Sequence, residues 1–176
     1  MKKITFFTMI CAVLFACGEQ PSETKPVFSV KILQNGELTS LINNSTIVID
    51  EYEPASESTD DTFRFDGVIY SNQPFNLEVA TTRNNFAIEN KTKDELCIVI
   101  CESAQEYVYD DQTGELKETV YPVAKNFSAE IKNTEQTFYT HCTPIAAGDH
   151  TITYNFYEKG KPDANIKVTV IYRYNK

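Results

Sequence analysis

Two histidines and five cysteines are the residues of this chain with the widest chemical repertoire. His141-Cys142, taken with Cys97 and Cys101, contains the donor types that zinc accepts. A Cys-x3-Cys pair on one strand points both thiols to the same side, but about 13 Å apart at the usual rise, too far to share one tetrahedral ion. No metal and no dissociable cofactor are therefore expected. Asp110, Gln112 and Gly114 resemble part of a calcium loop, but a bidentate acid at the required distance is missing. Asp50, Glu51, Glu53, Asp60 and Asp61 form a second acidic cluster without motif spacing, and both clusters read as solvated charge. No Gly-x-Ser-x-Gly elbow, phosphate-cradling glycine loop or His-Glu-x-x-His pair occurs, so the chain reads as non-enzymatic.

What remains is recognition. Tyr107, Tyr109 and Tyr121 flank Asp110 and Asp111, and tyrosine combines an apolar ring with a polar tip suited to a protein or glycan surface. Cross-strand packing is the competing use of the same three rings.

The elements that would position these residues follow from the hydropathy pattern. Met1-Lys2-Lys3 is a positive start, and residues 4–16 form an apolar run too short to span a bilayer as a helix. Leu14, Ala16 and Cys17 resemble the bacterial lipoprotein signal, in which the peptide is cut before a cysteine that carries diacylglycerol. The resemblance implies a signal peptide at 1–16, a covalent lipid on Cys17, and a lipid-anchored place at the cell outer membrane. Gly18 after the cysteine resembles outer-membrane sorting, and Glu19 and Glu23 faintly resemble the acidic export patch of Bacteroidota. Residues 17–26 are polar with two prolines and read as a flexible tether.

Loss of Lys2 and Lys3 with the signal takes the formal net charge from −9 to about −11. That balance argues against a nucleic-acid partner and against charge-driven binding to anionic lipid. Signal removal and lipidation leave Cys97, Cys101 and Cys142 in an oxidising compartment. With residues 96–101 read as one strand, Cys97 and Cys101 cannot reach each other. The expected bridge is Cys101 with Cys142, or alternatively Cys97 with Cys142, and the third thiol is expected to be buried. Closing a loop of about 40 residues would contribute about 4 kcal/mol in the chain-entropy model.

Ten Tyr and eleven Phe with no Trp, and many Thr and Val, favour strands. Period-two alternation runs through Phe28, Val30, Ile32; Phe63, Phe65, Ile69; Phe75, Leu77, Val79; and Phe127, Ala129, Ile131. Gly67 reads as a bulge, Ile47-Val48-Ile49 as a strand buried on both faces, and residues 96–101 as a central strand covered on both sides. Asp110 to Gly114 turns a hairpin between Tyr107-Tyr109 and residues 116–123. The clearest pair is Ile152, Tyr154, Phe156 against Ile166, Val168, Val170, Tyr172. Residues 27–176 therefore read as one all-β domain, a β-sandwich with a closed barrel as the alternative, and 54–61 as a long loop or internal boundary.

Residues 144–154, Pro-Ile-Ala-Ala-Gly-Asp-His-Thr-Ile-Thr-Tyr, resemble the corner and following strand of immunoglobulin-like domains, where Gly-x-Tyr-x-Cys forms a tyrosine corner. His150 stands at the Tyr position, with its ring expected to bond a backbone carbonyl, and Ile152 at the Cys position. The resemblance implies an immunoglobulin-like β-sandwich and says little of function. The same stretch loosely resembles small lipoproteins associated with conjugative elements of Bacteroidota. The expectation is a non-catalytic lipoprotein that binds a protein partner in adhesion, envelope assembly or conjugation, or alternatively a glycan- or calcium-binding envelope lipoprotein.

Overall fold

The computed structural model describes residues 25–57 and 60–176. The expected signal at 1–16, the lipid site Cys17 and most of the tether lie outside the described residues. Thirteen strands and one short helix follow in chain order among the described residues. They are β1 (Phe28–Gln34), β2 (Glu37–Ser40), β3 (Ser45–Ile49), β4 (Phe63–Ser71), β5 (Phe75–Arg83) and α1 (Asn85–Glu89). Next come β6 (Lys93–Cys97), β7 (Cys101–Ser103), β8 (Glu106–Tyr109) and β9 (Leu116–Val120). The chain ends with β10 (Ala124–Ile131), β11 (Glu135–Thr143), β12 (Gly148–Glu158) and β13 (Asn165–Tyr174).

One sheet runs β2-β1-β4-β11-β6-β7 and the other β10-β5-β12-β13-β3, while β8 and β9 pair only with each other. Every pairing is antiparallel except β3 with β13. Inward positions along β4, β5, β12 and β13 alternate with exposed ones, as one buried face per sheet requires. The inner faces meet in a single core in which Phe63, Phe65, Phe138 and Phe156 lie beside Ile69, Leu77, Val79 and Val168. Residues 28–49 belong to this body, because β1 bonds to β4 and β3 to β13. Glu53 and Thr62, on either side of 54–61, form an isolated bridge, and Asp61 accepts from Tyr174 Oη at 2.6 Å and Lys176 Nζ at 2.8 Å.

Three local expectations are corrected. Ile47-Val48-Ile49 lies on an edge strand with Val48 46% exposed, because β3 has a neighbour on one side only. Gly67 is not a bulge: the ladder to β11 runs through it in unbroken register, and the ladder to β1 ends on it in register. Its role is space, since a Cβ there would stand 2.5 Å from both Lys31 O and the Phe138 ring.

The third correction concerns the cysteines. Residues 96–101 are not one central strand but a hairpin at the sheet edge, β6 turning through Ile98, Val99 and Ile100 into β7. The apolar run misleads because Val99 and Ile100 are exposed at the tip. Cys97 and Cys101 then stand directly opposite each other, Cα atoms 3.9 Å apart, and form the disulfide. Neither Cys101–Cys142 nor Cys97–Cys142 exists. Cys142 points into the core, fully buried and free, and burial pushes its thiol pKa up. In native, unreduced protein, peptide mapping should recover residues 97 and 101 linked, and an alkylating reagent should reach Cys142 only after unfolding.

Candidate functional site

The site is built on a buried polar cluster where the two sheets meet. Arg83 ends β5 in the same inward parity as Leu77, Val79 and Thr81, so strand geometry drives a guanidinium into the interior. Asp94, two residues before Leu96 on β6, points inward from the other sheet. Arg83 Nη2 lies 2.7 Å from Asp94 Oδ1, with the two side chains 1% and 5% exposed. Between them α1 carries the chain from one sheet to the other. Asn84 Oδ1 accepts from Ala87 N at 2.8 Å to cap its start, and Thr92 N donates to Ala87 O at 2.9 Å beyond its end.

That return places Thr92 O to accept from both Arg83 Nη2 and Gln105 Nε2. Gln105 Nε2 also reaches Asp94 Oδ1 at 3.4 Å, and Ser103 Oγ donates to Gln105 Oε1 at 2.6 Å. Desolvation raises Asp94 to a pKa of about 6, against the opposing pull of Arg83.

His150, also fully buried, meets Thr92 Oγ1 through Nδ1 and Ala146 O through Nε2, the latter at 2.8 Å. The expected corner bond to a backbone carbonyl is present. Burial lowers the His150 pKa, so a neutral ring is favoured. Its ring packs 4.9 Å from Phe86 of α1. Gly148 is required here, because its φ of +138° is unfavourable for other residues and a Cβ would collide with the Phe86 ring.

Above this cluster rises the β8–β9 ribbon. Asp110 closes its tip, accepting from Gln112 N at 2.9 Å and Thr113 N at 2.8 Å through Oδ1, and these bonds lower its carboxyl pKa. The Asp110 carboxylate thus shapes the turn, and Asp111 beside it is exposed. Tyr107 stands opposite Thr119 and Tyr109 opposite Leu116, so these four share one face; Glu106, Val108, Glu118 and Val120 share the other. Tyr107, Tyr109 and Leu116 are each more than half exposed.

Tyr121, grouped with them in the sequence, lies beyond the end of β9. Its ring stands 5.9 Å from Arg83 Cζ and belongs to the base of the ribbon. At that base opens a cleft of about 260 Å³ whose lining includes Asp94, Gln105 and Tyr107.

The zinc donor types do not converge. Cys142 faces the core while His141 faces outward, 3.7 Å from Glu95. Glu95 lies within 4.8 Å of both bridge sulfurs, but those sulfurs are bonded to each other. Arg83, Asp94 and Gln105 were not singled out from the sequence. Parity could have found two of them, since Arg83 and Asp94 each occupy an inward position of an alternating strand.

Two facing, predominantly antiparallel sheets with a histidine corner define an all-β, immunoglobulin-like β-sandwich. No protein-family model and no curated protein matches the sequence. Among solved structures, the N-terminal domain of PorA is similar at 20% identity, covering 82% of this chain and 96% of that one, with a TM-score of 0.48. A PapD-like domain of human CEP192 is similar at 12% identity over 96% and 98% of the two chains, TM-score 0.36. The C-terminal domain of the Streptococcus agalactiae antigen I/II polypeptide BspA is similar at 16% identity over 84% of this chain and 50% of that one, TM-score 0.34.

The buried cluster sets a pH dependence with opposing parts. Asp94, raised from 3.8 to about 6, contributes stability that is full below about 4 and is lost as pH rises through about 6. His150, lowered from 6.5, contributes stability that is lost as pH falls below about 6.5. In Asp94→Asn only the histidine part of the cluster remains, so unfolding free energy measured by urea titration should rise with pH on the approach to about 6.5 from below.

Proposed function

We propose that the protein is a non-catalytic lipoprotein, held at the outer membrane through lipid on Cys17, that displays its β-sandwich to a protein partner in adhesion, envelope assembly or conjugation. The observation that carries this reading is the β8–β9 ribbon. It pairs with neither large sheet, yet it holds two tyrosines, a leucine and two valines that are all exposed. The face formed by Tyr107, Tyr109 and Leu116 is an apolar and aromatic surface of the kind that marks an interaction site.

Its charge describes the partner. Residues 106–120 contain Glu106, Asp110, Asp111, Glu115 and Glu118 against Lys117 alone. The matching surface is an apolar seat rimmed by lysine or arginine. The lipid anchor follows from the resemblance of Leu14, Ala16 and Cys17 to a lipoprotein signal, with the polar tether holding the domain away from the bilayer.

Two measurements test the proposal. Cys17→Ala should abolish incorporation of labelled fatty acid in cells, and continued labelling would remove the anchor from the reading. Tyr109→Ser with Leu116→Ser should leave the fold intact, since both residues are exposed, and should weaken capture of the partner from envelope extract by about tenfold or more. Unchanged capture by this variant would place the interaction elsewhere on the molecule.

A further inference from the structure

The cleft at the foot of the ribbon has the chemistry of a ligand site distinct from the ribbon face. Its floor is Asp94 and Gln105, each 5% exposed. Glu95, His141 and Ser103 form its sides, and Tyr107 stands at its rim. Two of these groups are held rigidly from behind. Asp94 Oδ1 is fixed by Arg83 Nη2 at 2.7 Å, and Gln105 is fixed at both ends of its amide by Ser103 Oγ and by Thr92 O. Asp94 is carried by β6 of the large sheet, and Gln105, in the connection from β7 to β8, is held to it by these bonds.

From this arrangement we infer that the cleft binds a single sugar ring, with its polar floor reading the hydroxyls and Tyr107 covering one C–H face. Each sugar hydroxyl both donates and accepts, and the lining supplies both: carboxylates of Asp94 and Glu95 and hydroxyls of Ser103, Thr62 and Thr143. Asp94 faces Arg83 and Lys93 lies 3.4 Å from Asp60, which leaves Glu95 as the carboxylate turned to the cleft, so the lining accepts from hydroxyls and disfavours an anion. Tyr107 is 53% exposed and supplies the apolar wall that a ring face requires. The volume of about 260 Å³ falls just below the range of about 300–1,000 Å³ typical of drug-sized ligands, which suits one ring.

The test uses the full chain in detergent and methyl glycosides of glucose, galactose, mannose, fucose and N-acetylglucosamine, followed by calorimetry and saturation-transfer NMR. At least one glycoside should bind in the millimolar range. His141→Ala and Tyr107→Ala should each weaken it by about tenfold or more, with unchanged circular dichroism. Tyr109→Ala, on the ribbon but outside the cleft, should bind as wild type. Absence of binding across the panel overturns the inference, as does binding that neither His141→Ala nor Tyr107→Ala alters. Partner capture is read through Tyr109 and Leu116, so failure of the sugar site and failure of the ribbon interface give different results.

Discussion

The ion pair between Arg83 and Asp94 is the constraint on which the arrangement of this sandwich depends. It joins the end of a strand in one sheet to a strand in the other, at 2.7 Å and almost out of water. Such a pair contributes little net stability against an apolar replacement, because desolvating two charges offsets most of their attraction, but removing one partner is expensive. Its effect here is positional. Guanidinium, carboxylate, the Thr92 carbonyl and the Gln105 amide fit together in one register, and that register sets where α1 delivers β6 and where the chain leaves toward the ribbon. Among the described residues, Arg83 Nε and Nη1 find no hydrogen-bond partner, which makes the site intolerant of further polar loss.

The remainder of the interior is held by aromatic packing and by one hydroxyl chain. Thr140 Oγ1, Tyr172 Oη and Tyr154 Oη follow one another at 2.8 and 3.2 Å across the two sheets, so both buried phenols are satisfied without water. Phenyl contacts such as Phe138 with Phe156 and Phe65 with Phe138 fill the centre that a tryptophan occupies in many sandwiches. Gly67 is the counterpart of this bulk, a missing side chain opposite the Phe138 ring. The disulfide adds only local order. Linking residues 97 and 101 closes a loop so short that the chain-entropy model assigns it about 2 kcal/mol, half of what a bridge to Cys142 would contribute.

Alternation at period two was legible wherever a strand has one wet and one dry face, as in β4, β5, β12 and β13. It was misleading where apolar residues run together. Ile47-Val48-Ile49 and residues 96–101 look like deeply buried strands, yet the first is an edge and the second a turn, because local hydropathy carries no information about how many neighbours a strand acquires. The cysteine pairing failed for the same reason: a strand holds its residues apart, a hairpin brings them together. His150 was legible because it stands at the Tyr position of a stretch that resembles the Gly-x-Tyr-x-Cys corner of immunoglobulin-like domains. The tyrosine ribbon was legible as a hairpin, but the ion pair beneath it depends on two strands brought together from separate sheets, and no short-range pattern reveals that.

The parallel pairing of β3 with β13 has a consequence for how the molecule comes into being. Among the described residues, the strand partner of residues 45–49 is 168–172, more than a hundred residues further along the chain. β13 also supplies the second neighbour of β12, so that sheet stays incomplete until the last strand has been synthesised. A topology with contacts this distant in sequence folds slowly, since loop-closure entropy is lost before the contacts form. Strand β3 therefore waits for β13 before it can pair, whereas β1 can pair with β2 and β4 earlier.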